Sequence, residues 1–327
     1  MIEHQLSPES AAALADAARA SRRIYRDGLA FERLLQRSKA ALEVADPEAV
    51  ALVQRFAAGT VPNGAIMFHG AHVDEETLGP TPAGWELGHQ NEQRDPVTEA
   101  ALLGFAAAAG DVFAFARQHA GALIQNVAPV RDHEFEAVGT GSRGLLDWHT
   151  EDAFDGARPD YVALICLRGD VRAQTALAPL DGMDLDDADA AVLRQARFMH
   201  GIDKASGGNG RPEDGVRGPI LTEGPSGLEI GLDMDCVAAV AGDHVAAAAL
   251  GRLHDAANRA GIYVTLRRGD VLLFDNRRVL HARTSFTPRY DGTDRWLQRV
   301  IISSDLAPAA ERCTRRHRVI ENEPIAA

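Results

Sequence analysis

Apolar residues recur at helical spacing through the first 57 positions of the chain and then give way to alternation and short unbroken runs. The chain therefore predicts helices over 11–20, 28–44 and 47–57, with Ser7 as a cap and Pro8 in the first helical position. A strand is expected over 64–73, a polar loop over 80–95 and a long helix over 96–119, whose apolar face carries Leu102, Leu103, Phe105, Val112, Phe113 and Phe115. Short strands follow over 122–130, 144–150, 160–168 and 173–178, then a helix over 187–199. Residues 205–219 hold five glycines and several charges without periodicity, which reads as a mobile loop. A strand over 228–235, a helix over 243–260 and strands over 262–267, 271–275, 279–285 and 296–303 complete the pattern. Helices gather early and strands late, without regular βαβ alternation, so the expected class is mainly β with helical decoration around a sandwich core.

Composition narrows the picture. At 327 residues and 46% apolar content the chain can bury a sizeable core, and one elaborated domain over 1–327 is the simplest organisation: a helical region over 1–60 and a strand-rich body over 61–310. A formal charge of −13 disfavours nucleic acid and anionic membrane surfaces as partners and agrees with a small polar substrate. No apolar run approaches the roughly 20 residues of a membrane span, and the first residues show no basic-then-apolar leader, so a cytoplasmic location is expected. Cys166, Cys236 and Cys313 are too scattered for a disulfide framework or a Cys-x-x-Cys zinc site. The oligomeric state is not legible.

Candidate chemistry centres on Trp148-His149-Thr150-Glu151-Asp152-Ala153-Phe154 and, 132 residues after His149, on His281. On an extended segment His149 and Glu151 leave the same face, where two ligands of one metal must point. His281, from a second apolar strand, completes two imidazoles and one carboxylate, a set that suits Fe(II) in oxygenases because half the coordination positions stay open. Asp275 and Asn276 read as turn formers, and Arg277 and Arg278 as solvated or ion-paired residues. His69 and His72 have ligand-like spacing but no evident third partner, and read as loop histidines. Gly139, Gly141 and Gly144 match the dinucleotide fingerprint, yet Leu145-Leu146-Asp147-Trp148-His149 reads as extended where that fingerprint needs a helix. Asp233 and Asp235, two apart, read as two carboxylates on one face of a strand, a costly pairing that a bound cation would relieve; a solvated turn is the bland alternative.

Residues 148–154, Arg158-Pro159-Asp160-Tyr161-Val162 and the block from Asp275 through Pro288-Arg289-Tyr290-Asp291-Gly292 to Leu297 resemble the clavaminate synthase-like branch of the Fe(II)/2-oxoglutarate oxygenases, most of all its arginine β-hydroxylases. The likeness covers roughly residues 95–310. It implies a double-stranded β-helix (jelly-roll) core, Fe(II) held by His149, Glu151 and His281, and 2-oxoglutarate and O₂ as cosubstrates. By the same resemblance Arg295, with Thr175 beside it, would bind the distal carboxylate of 2-oxoglutarate, a task suited to a planar guanidinium. Arg299 would hold the α-carboxylate of an amino-acid substrate, Gln118 and Glu151 its α-amino group, and Asp233 and Asp235 its cationic side chain. Residues 205–219 would act as a lid or be an insertion without motion. The implied activity is hydroxylation of a free basic L-amino acid, arginine at C3 foremost. Lysine, ornithine or citrulline as substrate, desaturation, or a catalytically silent binding protein are the alternatives.

Overall fold

The structure, a computed structural model, describes residues 1–19, 28–84, 97–225, 227–313 and 318–321. The expected 80–95 loop beyond residue 84, the start of the 96–119 helix, and residue 20 of the first helix lie outside them.

Two sheets face each other as a jelly roll. The larger runs β1 (Ile2–Gln5), β2 (Ala65–His69), β14 (Val271–Asp275), β6 (Tyr161–Arg168), β16 (Trp296–Ser303), β3 (Asp111–Phe115) and β17 (Val319–Ile320) in spatial order, with β4 (Gln125–Val127) pairing the first part of β16. The smaller runs β13 (Ile262–Val264), β7 (Thr175–Pro179), β15 (Val279–Arg283) and β5 (Leu146–His149). Between the sheets Met67, Phe113, Phe115, Val162, Leu164, Cys166 and Phe274 meet Leu177 and Val279. The intervening residues of the same strands, Ala163, Ile165, Leu167, Leu273 and Val300, turn outward against helices. A strand buried on both faces reads as an unbroken apolar run, which is why Tyr161–Arg168 lacks alternation.

The helices α1 (Pro8–Arg19), α2 (Gly28–Ala45), α3 (Pro47–Ala57) and α5 (Val97–Ala109) cover the outer face of the larger sheet, with the short α4 (Glu75–Leu78) beside them in sequence. The Ser7 hydroxyl accepts from Ser10 N–H at 3.1 Å, and Asp46 caps α3 by accepting from Ala49 N–H at 2.9 Å. On the far side Trp148, Ala176, Ala178, Leu280 and Ala282 pack against α7 (His244–Ala260), with α6 (Asp187–Leu193) next to it.

Several boundaries differ from expectation. The 96–119 helix stops at Ala109, and residues 111–115 form β3. Gly110 makes the corner: a Cβ there would meet Ser303 O at 2.3 Å, so the backbone reaches the sheet at a contact that forces pairing with β16. The 187–199 helix ends at Leu193, and Phe198–His200 becomes β8. The glycine-rich 205–219 segment is partly ordered: β9 (Val216–Gly218) pairs with β8, which also pairs with β12 (Val237–Ala239). The 228–235 strand is shorter, with β10 (Leu221–Gly224) and β11 (Gly227–Ile230) forming a hairpin. No alternation or apolar run in the sequence marks β1, which is set by parallel pairing with β2. No helix among the described residues is long and apolar enough to cross a membrane.

Candidate metal centre and substrate pocket

The register of the smaller sheet builds the metal site. His149, last in β5, lies directly opposite His281 in β15, and the two rings are 3.9 Å apart between centroids. The ligand atoms of His149, Glu151 and His281 all fall within 4.8 Å of one another, and all three residues are buried. His149 Nδ1 lies 2.8 Å from Asp147 O, so this nitrogen carries the proton and Nε2 is the free lone pair. Burial, then the neighbouring His149, pushes His281 down to about 4, which leaves its imidazole neutral and able to ligate at neutral pH. Burial opposes charge on Glu151, but Arg299 and the two histidines outweigh it and hold the carboxyl well below its ordinary range. Two imidazoles and one carboxylate converging on one point fit Fe(II) with open coordination positions.

Glu151 is placed differently from the simple alternation argument. β5 ends at His149 and Glu151 opens a turn, with Asp152 in the left-handed region at φ 52°. Fully buried Asn276 holds that turn: its Oδ1 accepts from Glu151 N–H at 2.8 Å, and its Nδ2 donates to Glu151 O at 3.1 Å and Pro159 O at 2.9 Å. The sequence marks Asn276 only as a turn former, and nothing local shows that its amide reaches a residue 125 positions away.

One pocket contains the triad together with Gln118, Thr175, Asp233, Arg295 and Arg299. Arg295 is buried and donates to Thr175 Oγ1 at 3.1 Å. Arg299 donates to Glu151 Oε1, and its Nε donates to Gln125 Oε1 at 3.0 Å. Gln118 follows β3 rather than ending a helix, and its Nε2 donates to Asp152 Oδ1 at 3.0 Å and Ser206 Oγ at 2.8 Å. Ser206 in turn binds Asp203, so the start of the 205–219 segment is tied to the pocket floor.

The Asp-x-Asp pair is split. Asp233 lines the pocket and forms an isolated bridge with His149, whereas Asp235 is exposed in the following turn, outside the pocket lining. Asp235 Oδ2 accepts from Asp147 N–H at 3.2 Å, and its own N–H donates to Asp233 Oδ1 at 2.9 Å. Asp152, which directly follows Glu151 in the 148–154 motif, and Asp203, which no spacing singles out, line the pocket with Asp233. Burial pushes Asp152 up to about 7 against the pull of Arg117, and burial followed by Asp203 and Asp235 raises Asp233 despite His149. The carboxyls of Asp152 and Asp233 thus resist ionisation.

Elsewhere the sequence assignments meet ordinary structural partners. Arg277 pairs with Asp160 at 2.8 Å and Arg278 with Asp181 at 2.5 Å. His69 ends β2 and pairs with Asp270 at 2.8 Å, a partner its sequence neighbourhood does not show. Residues 139–144 form turns, not a helix start.

Fold and triad together define a non-haem iron oxygenase. A family model described as taurine catabolism dioxygenase TauD, TfdA family, matches residues 228–301. The enduracididine beta-hydroxylase of Streptomyces hygroscopicus is 33% identical over 285 residues, 77% of this chain and 80% of that protein. An asparagine oxygenase solved with Fe(II), 2S,3S-3-hydroxyasparagine and succinate superposes with a TM-score of 0.87 at 28% identity, covering 99% of this chain and 100% of the other. The non-heme iron oxygenase OrfP, solved with Fe, succinate and (3S)-hydroxy-L-Arg, gives 0.86 at 28% identity, covering 98% and 100%. The chain belongs to the TauD/TfdA family of Fe(II)/2-oxoglutarate-dependent dioxygenases, in its clavaminate synthase-like branch. Iron, 2-oxoglutarate and O₂ are accordingly its cofactor and cosubstrates.

Proposed function

We propose that this dioxygenase hydroxylates a free basic L-amino acid, arginine at C3 before others. The observation that carries the reading is the wall of three carboxyls, Asp152, Asp203 and Asp233, in the same pocket as the metal triad. Burial pushes Asp152, although Arg117 pairs with it at 2.8 Å, and Asp233 toward neutrality; a guanidinium or ammonium among the three carboxyls would relieve that cost. A neutral side chain such as that of asparagine, the product side chain in one similar structure, offers no such compensation. The arginine product in another is consistent with the acidic wall.

When bound, the iron supplies the oxidising chemistry: 2-oxoglutarate and O₂ are converted to succinate and CO₂ as one oxygen atom enters the substrate C–H bond. The chain supplies position. In this proposal Arg295 and Thr175 hold the distal carboxylate of 2-oxoglutarate, and Arg299 exchanges Glu151 for the substrate α-carboxylate. Gln118, with Glu151 near it, faces the α-amino group. Anchors at both ends of the substrate decide which carbon faces the metal. The Ser206–Gln118 hydrogen bond gives residues 205–219 a place to close, which excludes water from the pocket.

Fe(II) enzyme reconstituted without air and supplied with 2-oxoglutarate, O₂ and each amino acid, plus ornithine and citrulline, tests the reading by succinate and a +16 product. Arginine turnover should be lost in Asp233→Ala. Asp235→Ala should keep most of it, because that carboxylate is turned toward Asp147 N–H. Equal losses in both would restore the paired-aspartate arrangement. Turnover with lysine alone would move the substrate but keep the acidic wall, and turnover with asparagine alone would overturn the proposal.

A further inference from the structure

The cosubstrate end of the pocket contains a second cation. In β15 Arg283 follows His281 by two residues, so both side chains leave the same face of the strand, roughly 6.6 Å apart along it. Across the sheet Arg283 is opposite Thr175, the residue whose hydroxyl accepts from Arg295 at 3.1 Å. Two guanidiniums from β15 and from the residue before β16 therefore converge on one position of β7, and both line the pocket. Arg283 is 4% exposed and Arg295 5%.

Neither arginine has an anion. Arg283 Nη1 donates to Ser142 O at 2.9 Å and Thr284 O at 3.1 Å, while its Nε and Nη2 are buried without a hydrogen-bond partner. Among the described residues no carboxylate lies within ion-pair distance, 4.0 Å, of either guanidinium. The Cys166 thiol beside Arg295 is pushed by burial up to about 12, so it contributes no charge at neutral pH. Asp170, whose field also reaches Arg295, is engaged by Arg172 at 2.5 Å. Two like charges out of water with no counterion are unfavourable, and an unmade hydrogen bond on a buried charged group adds to that cost. A carboxylate placed between the two would relieve both, and two guanidinium edges match its two oxygens.

We propose that Arg283 is a second anchor for the distal carboxylate of 2-oxoglutarate, presenting its Nε–Nη2 edge to the carboxylate that Arg295 also holds. The proposal rests on the reading of Arg295 as cosubstrate anchor. It makes His281 and Arg283, neighbours on one strand face, the two ends of the cosubstrate's span. Length and charge of the 2-oxo acid are then selected by a rigid strand rather than by a loop. The site should prefer a five-carbon diacid strongly over a 2-oxo acid that lacks the distal carboxylate.

The test is calorimetric binding to Fe(II)-loaded enzyme kept free of O₂, with 2-oxoglutarate and with 2-oxobutyrate, which ends in a methyl group. Arg283→Met should weaken 2-oxoglutarate at least tenfold and leave 2-oxobutyrate within about threefold. The melting temperature of the ligand-free variant should stay level or rise, because a like charge has been removed, while the shift produced by 2-oxoglutarate shrinks. Arg283→Lys, which retains charge without the planar fork, should fall between wild type and Met. A structural role for Arg283, supporting the Ser142 and Thr284 carbonyls and packing over the Phe286 ring at 5.5 Å, would lower affinity for both ligands alike and lower the ligand-free melting temperature in both variants. That pattern overturns the proposal. Arg295→Met is the control: if it binds 2-oxoglutarate as wild type does, the anchor reading itself fails, whatever Arg283 shows.

Discussion

Replacing Asn276 by alanine should loosen the metal site without touching a ligand. The side chain is fully buried and makes three hydrogen bonds, two of them to the backbone of Glu151 and one to Pro159 O. Alanine strands one N–H and relaxes two carbonyls. At about 1–3 kcal/mol for a buried group left unsatisfied, partly offset by water entering the space, a loss of roughly 2–5 kcal/mol in stability is expected. For a chain of this size that corresponds to a fall in Tm of roughly 3–7 °C. The second effect is on the ligand. Glu151 sits in a turn, next to a residue with φ of 52°, and its carboxylate already competes for Arg299. Without the amide clamp it samples other positions, and loss of such a supporting partner typically lowers metal affinity 10–100-fold. Anaerobic Fe(II) titration, or Co(II) titration as a slower-oxidising substitute, reads the affinity, and thermal melts of the metal-free protein read the stability. Asn276→Asp keeps the acceptor but loses both donor bonds, so it should not rescue either quantity. An alanine variant that binds metal within threefold of wild type and melts within about 1 °C of it would refute the argument.

Gly110→Ala should destabilise by roughly 1–3 kcal/mol or more through overpacking, because the added methyl meets Ser303 O at 2.3 Å and backbone must move; unchanged urea midpoints would contradict that geometry. Burial, opposed by hydrogen bonds from the Arg277 and Arg278 backbone and by the Arg278 charge, pushes the Asp275 carboxyl up to about 6 from an ordinary 3.8. Its folded pKa is thus above its unfolded value, so folding takes up a proton between about pH 4 and 6; the associated stability is present below that window and lost as pH rises through it. Asp275→Asn should remove this slope, worth on the order of 2–3 kcal/mol across the window, and parallel wild-type and variant stability curves from pH 4 to 7 would disprove it.

Strands and metal ligands were largely legible in the chain because both depend on short spacings. The β6, β14, β15 and β16 segments fall close to their expected positions, since apolar runs bounded by turn residues carry their own signal. The 96–119 segment misled because Val112, Phe113 and Phe115 continue a helical-looking stripe. Only the approach of Gly110 to β16 shows where the helix has to stop. The Asp233–Asp235 pair misled in the same way: spacing of two implies one face only if the backbone stays extended, and after Asp233 it turns.

By itself the sequence determined which groups are available: two histidines and a glutamate at strand-like positions, arginines spaced along a strand, and enough apolar residues for two packed sheets. Tertiary structure alone decided which of them share a cavity. The cross-strand register brings His149 opposite His281 and Arg283 opposite Thr175. The fold also carries Asp203 into the pocket lining and leaves Asp235 outside it. The physical reason is range. Propensity and periodicity act over a few residues, whereas a site is assembled by pairings that span more than a hundred, each settled by burial and hydrogen bonding that no local pattern encodes.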